Sequence, residues 1–229
     1  MYVWRLFDQN ISVEQIIEPT SLLCFSAKWH GESGPIIFHK AMKRSGPEFT
    51  AMVKAAHQLL SEAEVVCHYN GNTFDIPRLN QEFLRLNLKP PPPIPNIDLK
   101  LTVQKKFSLT SSKLAFVGPY FEVGEKVQNE GWPLWRGCLK NDLVAWKKME
   151  TYNKGDVLLL ERLYTKLCPW IEQHPNMGLY VKETLDKDGL PKAVCPTCGS
   201  TKLQRRGVTR AVTFAYYRFQ CLSCGRWSR

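Results

Sequence analysis

Two Cys-x-x-Cys pairs near the C-terminus constrain this chain more tightly than any other feature. Cys195-Pro-Thr-Cys198 and Cys221-Leu-Ser-Cys224 are separated by 22 residues, and each pair is followed by a glycine, Gly199 or Gly225. Cysteines at this spacing fold a short turn around one metal ion, and two such turns supply the four thiolates of a structural Zn²⁺ site. The competing reading is a pair of disulfides or a redox-active dithiol. The sequence has no apolar run of membrane length and no secretory h-region at its start, which predicts a cytosolic chain with reduced thiols. A segment this small has almost no core, so metal binding would supply most of its folding free energy. The expectation is a small zinc ribbon over 192–229, a linker over 181–191 and a larger domain over 1–180.

Charge singles out the same tail. The chain carries a net charge of +10. From Lys192 to Arg229 there are eight cations and no acid, whereas the remainder is nearly neutral, with 23 basic and 21 acidic residues. Arg205, Arg206, Arg210, Arg218, Arg226 and Arg229 alternate with Phe214, Tyr216, Tyr217, Phe219 and Trp227. Cations track phosphates and rings stack on bases, so the tail calls for nucleic acid, with Arg205, Arg206, Arg210, Tyr216 and Arg218 as candidate contacts. On a strand, Tyr216 and Arg218 share one face while Tyr217 and Phe219 share the other. Rings that merely pad the metal site are the alternative, and sequence does not divide the two sets. Cys24, Cys67, Cys138 and Cys168 lie far apart and read as reduced core or surface thiols.

The larger part is 44% hydrophobic over the whole chain, enough for a packed core. Residues 2–7 are β-prone, and 13–18 read as a short helix or an irregular link. Strands are expected at 21–29 and 35–39, and a helix at 47–63 with apolar residues at 3–4 spacing. A strand at 64–67 leads into a helix at 76–86. A proline-rich connector precedes a short strand at 96–99. Helices are expected at 111–117 and 142–167, the second broken around 151–155, with a loop over 118–135 between them. Strands followed by alternating helices and strands predict an α/β fold, a mixed sheet flanked by helices.

Candidate chemistry sits at two places. A Gly/Asn-rich turn, Asn70-Gly71-Asn72-Thr73, delivers Asp75 between the strand end and the helix start, where α/β folds place ligands. A helix cap is the plainer role for such an acid. Asp98 is likewise either a turn or helix cap or an auxiliary site residue. Further on, Tyr152 and Asp156 stand four apart, on one face of a helix; a solvated surface pair would look the same.

Taken together, Asn70-xxx-Phe74-Asp75 and Tyr152-xxx-Asp156 resemble the second and third motifs of the DEDD superfamily of 3′–5′ exonucleases, the DnaQ-like proofreading type, with tyrosine marking the DEDDy branch. The two acids are 81 positions apart. Residues 2–180 are similar throughout to phage-encoded exonuclease-like proteins of this group, with Asp8-Gln9-Asn10, Ala27-Lys28-Trp29 and 146–156 contributing. The resemblance implies an RNase H-like fold and two divalent cations, Mg²⁺ or Mn²⁺, about 3.5–4 Å apart on carboxylates. It implies metal ligation by Asp75 and Asp156, a water oriented by Tyr152, and a terminal nucleotide splayed by Phe74, with Asn70 and Asp98 as auxiliary residues. Implied partners are single-stranded DNA or DNA 3′ ends, and replication or repair proteins in a host cytoplasm.

The family's first motif, Asp-x-Glu on the first strand, is missing. Asp8, Glu14 and Glu18 do not reproduce it. Either the chain is an N-terminally shortened version of a longer protein, the preferred expectation, or it is a non-catalytic nucleic-acid-binding relative. In both cases two ligands and a central strand are lost, and little two-metal activity is expected. A transposase- or resolvase-type nuclease also pairs such a core with a ribbon, but its acids follow other spacings.

Overall fold

The computed structural model describes residues 12–16, 19–181, 185, 188–189 and 191–229. The expectations for 2–7, for Asp8-Gln9-Asn10, for Glu18 and for most of the 181–191 linker lie outside these residues. The first element among the described residues is a 3₁₀ turn, Val13–Gln15. A hairpin follows, β1 (Cys24–Ala27) against β2 (Ile37–Lys40), in antiparallel register from Cys24–Lys40 to Ala27–Ile37. Helix α1 (Pro47–Glu62) starts behind Gly46 with proline in its first turn, a position where the missing N–H costs nothing. Its buried residues Phe49, Met52, Val53 and Ala56 repeat at 3–4 spacing and pack with Phe83.

β3 (Val66–His68) and β4 (Asn96–Asp98) are parallel, joined by a crossover containing α2 (Asp75–Arg85). Four helices follow: α3 (Leu99–Lys106), α4 (Leu114–Tyr120), α5 (Trp132–Leu139) and α6 (Leu143–Leu167). The loop expected over 118–135 holds only in part, because α4 runs on to Tyr120 and α5 begins at Trp132. The break expected around 151–155 does not occur: α6 is continuous for 25 residues.

In place of one mixed sheet there are two two-stranded sheets, and among the described residues no strand joins β1 to β3. Each sheet therefore keeps an edge without a ladder partner, a position that folds usually cover or pair. Helix α6 spans both. Its first half buries Trp146 and Met149 in a cluster packed against Cys24. Its second half buries Leu163 and Leu167 with Ile97 of β4 and Cys67 of β3. Lys28, just past β1, bonds Glu161 of α6 through both carboxylate oxygens at 2.6 and 2.7 Å. Removing a fully buried side chain such as Leu163 would cost roughly 2–5 kcal/mol.

The tail forms its own antiparallel sheet of β5 (Leu203–Arg210), β6 (Ala215–Cys221) and β7 (Trp227–Ser228). It touches the rest of the chain through Arg226, which donates to the carbonyls of Pro169 at 2.8 Å and Glu172 at 3.3 Å, and through the Pro196 carbonyl, which accepts from Met177 N at 2.7 Å. Among the described residues no helix is long and apolar enough to cross a membrane.

Candidate functional site

The C-terminal edge of β3 and β4 is built by register. His68 and Asp98 are paired positions on parallel neighbours, so their side chains meet. Asp98 Oδ1 accepts from Lys100 N at 3.0 Å, capping α3, and from Asn70 N at 2.8 Å, pinning the turn after β3. Asn70 adopts a left-handed φ of 65°, a conformation its short polar side chain tolerates. Gly71 has no room for anything larger, because a Cβ there would lie 2.5 Å from His68 Cγ. Its N–H donates to His68 Nδ1 at 3.1 Å, leaving Asp98 Oδ2 at 3.6 Å beyond hydrogen-bond reach of that nitrogen. His68 Nε2 is buried with no partner. Burial lowers the His68 pKa, while Asp98 and Asp75 pull the other way.

Asp75 is the first residue of α2, and the cap position belongs to Phe74, which makes no side-chain cap bond. Its carboxylate accepts a backbone N–H at the start of the helix. Although the residue reaches solvent, protein crowded around its carboxyl raises its pKa, and His68 and that N–H offset this in part. Phe74 is 56% exposed beside it.

Tyr152 and Asp156 share one face of α6, as their spacing requires. Lys126, from the loop between α4 and α5, bonds Asp156 Oδ2 at 2.8 Å and holds its Nζ 4.9 Å from the Tyr152 ring centre. Burial works against the Lys126 charge, but Asp156 and Tyr152 outweigh it, so the lysine pKa is raised. Burial raises the Tyr152 pKa, and the ring packs edge-on to Trp135. Asp156 Oδ1 is buried without a partner, as is Ser26 Oγ on β1. His68 and Lys126 are site neighbours that sequence assigned no role. Parallel register between two short strands would have exposed the histidine, whereas no local pattern marks the lysine.

The structure brings Asp75 together with His68 and Asp98, and Asp156 together with Tyr152 and Lys126. Among the described residues, one group of three or more His, Cys, Asp or Glu side chains is gathered closely enough to hold a metal ion, and it is the cysteine tetrad. The carboxylates as they stand do not fit a divalent pair, because Asp156 Oδ2 is already neutralised by an ammonium group.

The tetrad fits a metal well. Cys195 and Cys224 sulfurs lie 3.7 Å apart, and Cys198 and Cys221 sulfurs 3.6 Å apart. That is far beyond the ~2.05 Å of a disulfide, and matches the ~3.8 Å edge of a tetrahedron with ~2.3 Å zinc–sulfur bonds. The two knuckles are alike: Gly199 N bonds Cys195 O at 2.8 Å, and Gly225 N bonds Cys221 O at 2.9 Å. Both glycines take left-handed φ values, 68° and 78°. Within the tetrad, burial opposes a thiolate at Cys221, yet backbone N–H groups of Cys224 and Ser223 bring its pKa down to about 7, while burial pushes Cys198 up to about 11 and raises Cys224.

A sequence model of the RNase H superfamily matches residues 20–168, well over half of the chain. The chain belongs to the RNase H superfamily. The match contains Asn70, Asp75, Asp98, Tyr152 and Asp156, and stops before the tetrad. Among solved structures, this RNase H-superfamily chain is similar to the family B DNA polymerase from the hyperthermophilic archaeon Pyrobaculum calidifontis. That similarity has 20% identity and a TM-score of 0.48, over 59% of this chain and 20% of the polymerase chain. The chain therefore spans about a fifth of that polymerase's length. Among curated proteins none matches it.

Proposed function

We propose that this RNase H-superfamily chain is a DNA 3′–5′ exonuclease-type protein. Asp75, Tyr152 and Asp156 belong to its strand-end site, and the tetrad binds Zn²⁺ in a ribbon that holds nucleic acid. The observation that supports it most is Asp75. It is an acid at the first position of the helix after a βα turn, facing His68 and Asp98, with a raised pKa, inside the superfamily match. Such a carboxylate is costly to keep for packing alone. Phe74 beside it offers an exposed ring to a terminal base. Tyr152 and Asp156 supply a phenol and a second acid, and RNase H-like nucleases use Mg²⁺ or Mn²⁺ for hydrolysis.

A second reading, a nucleic-acid-binding relative without hydrolysis, is favoured by the Lys126–Asp156 pair. An ammonium there does the charge-balancing that a cation would do. On that reading the chain grips a strand without cutting it. The test is a 5′-labelled single strand incubated with purified protein and Mn²⁺, run beside Asp156→Asn. Retention of the strand without shortening supports the binder. Stepwise shortening from the 3′ end, abolished in Asp156→Asn, establishes the exonuclease. Neither binding nor shortening sinks both.

A further inference from the structure

We infer that one face of the C-terminal sheet, carrying Phe214, Tyr216, Arg218, Trp227 and Arg229, is a stacking platform for single-stranded nucleic acid, and that the opposite face is not. This deepens the nucleic-acid reading of the tail and rests on it. The faces follow from register. Tyr216 and Arg218 alternate with Tyr217 and Phe219 along β6, so each pair points to its own side. Trp227 is the cross-strand partner of Gln220, which shares the side of Arg218 and Tyr216. Arg218 lies 5.6 Å from the Trp227 ring centre and Arg229 lies 5.5 Å from that of Tyr216, which places all four on one face. Phe214 continues the row, 6.3 Å from Tyr216.

The other face is already committed. Arg205 pairs with Phe219 across the sheet and lies 3.4 Å from the Tyr217 ring centre, covering it. Farther along that side Phe219 is half-buried and Cys221 turns into the tetrad. Tyr217 is still 52% exposed, so what sets this face apart is the guanidinium already stacked on its ring, which a base would have to displace. On the platform face, Phe214 is 66% exposed, Trp227 49% and Tyr216 39%, and the guanidinium groups lie 5.6 and 5.5 Å from the Trp227 and Tyr216 ring centres, against 3.4 Å for Arg205 over Tyr217.

Spacing selects the ligand. Same-face residues on an antiparallel strand lie about 6.8 Å apart. Duplex bases step by about 3.4 Å per strand and keep their faces covered. Rings at twice that step can be served only by an extended strand with unstacked bases, its phosphates following Arg218 and Arg229. The absence of any acid between Lys192 and Arg229 leaves nothing to repel that backbone.

The experiment uses the full chain in its metal-loaded form and measures anisotropy of a labelled 12-nucleotide single strand. Tyr216→Ala and Trp227→Ala are each expected to weaken binding by roughly tenfold, in line with the loss of one stacked base, whereas Tyr217→Ala leaves it within about twofold. A blunt duplex of the same length should bind more weakly than the strand. One zinc per chain, retained in every variant, shows that the ribbon still folds. Equal losses on both faces, or none on either, overturn the platform while leaving nucleic-acid binding intact. No binding by the unaltered chain overturns both.

Discussion

Asp75 shows how a single side chain can separate a site from a scaffold. Its folded pKa is raised by the protein crowded around the carboxyl, against the opposing pull of His68 and a backbone N–H, with Asp98 adding a smaller upward push. An acid whose folded pKa exceeds its unfolded value near 3.9 holds its proton more tightly when folded. Stability then falls as pH rises through that window and stays lowered at neutral pH. Asp75→Asn should therefore raise stability at pH 7, with the gain vanishing near pH 3. Thermal melts at the two pH values check it. A capping acid would behave in the opposite way, since replacing it removes a favourable bond. Asp98 is that contrasting case: it caps α3 and pins Asn70 with one oxygen. Sequence left both acids between cap and site because a βα turn offers the same residue type for either job.

At the scale of elements, α6 carries the clearest departure from expectation. Glycine at 155 beside Asn153 reads as a break, because glycine weakens a helix by about 1 kcal/mol relative to alanine. The helix runs through it because Val127, next to the lysine that pairs with Asp156, packs onto that spot. A Cβ at 155 would lie 2.4 Å from Val127 Cγ2. Gly155→Ala should thus cost about 1 kcal/mol net, overpacking outweighing the gain in helix propensity. In a Val127→Ala background the same substitution should become stabilising, and denaturant melts of the four-member cycle read the change of sign. A gain in both backgrounds would mean that the loop does not rest on α6. Periodicity made α1, α2 and most of α6 legible, since their apolar faces are long enough to show a repeat. Helix α5 was not, because Gly131, Pro133 and two tryptophans mimic loop composition while Pro133 in fact occupies a first-turn position where it suits a helix. The two short sheets were legible as strands but not in their pairing, which depends on contacts between residues far apart in sequence.

Across the whole molecule, the cysteine spacing was legible without a fold, because a four-thiolate site depends on local turns. What sequence could not supply were the contacts that join the tail to the rest: Met177 N donating to the Pro196 carbonyl at 2.7 Å, and Arg226, which acts with both ends. Its guanidinium holds the carbonyls of Pro169 and Glu172, and its own carbonyl accepts from Cys221 N at 2.9 Å. The knuckle and the clamp therefore share one residue. The tail buries little beyond Cys195, Thr197 and Cys221, so the proposed zinc would supply much of its order. The three apolar clusters around α1 and α6 include no tetrad cysteine and do not need it. Stripping zinc with a chelator at neutral pH should release the tail alone. Trypsin should then cut at Arg205, Arg206 and Arg210, and binding of single strands should fall at least tenfold with the platform lost. The helical part should still melt cooperatively, lower by about 2–4 °C, since losing the Arg226 bonds removes roughly 1 kcal/mol. Loss of the cooperative melt on chelation would show that tail and core fold as one unit, and the division placed at 181–191 would fail with it.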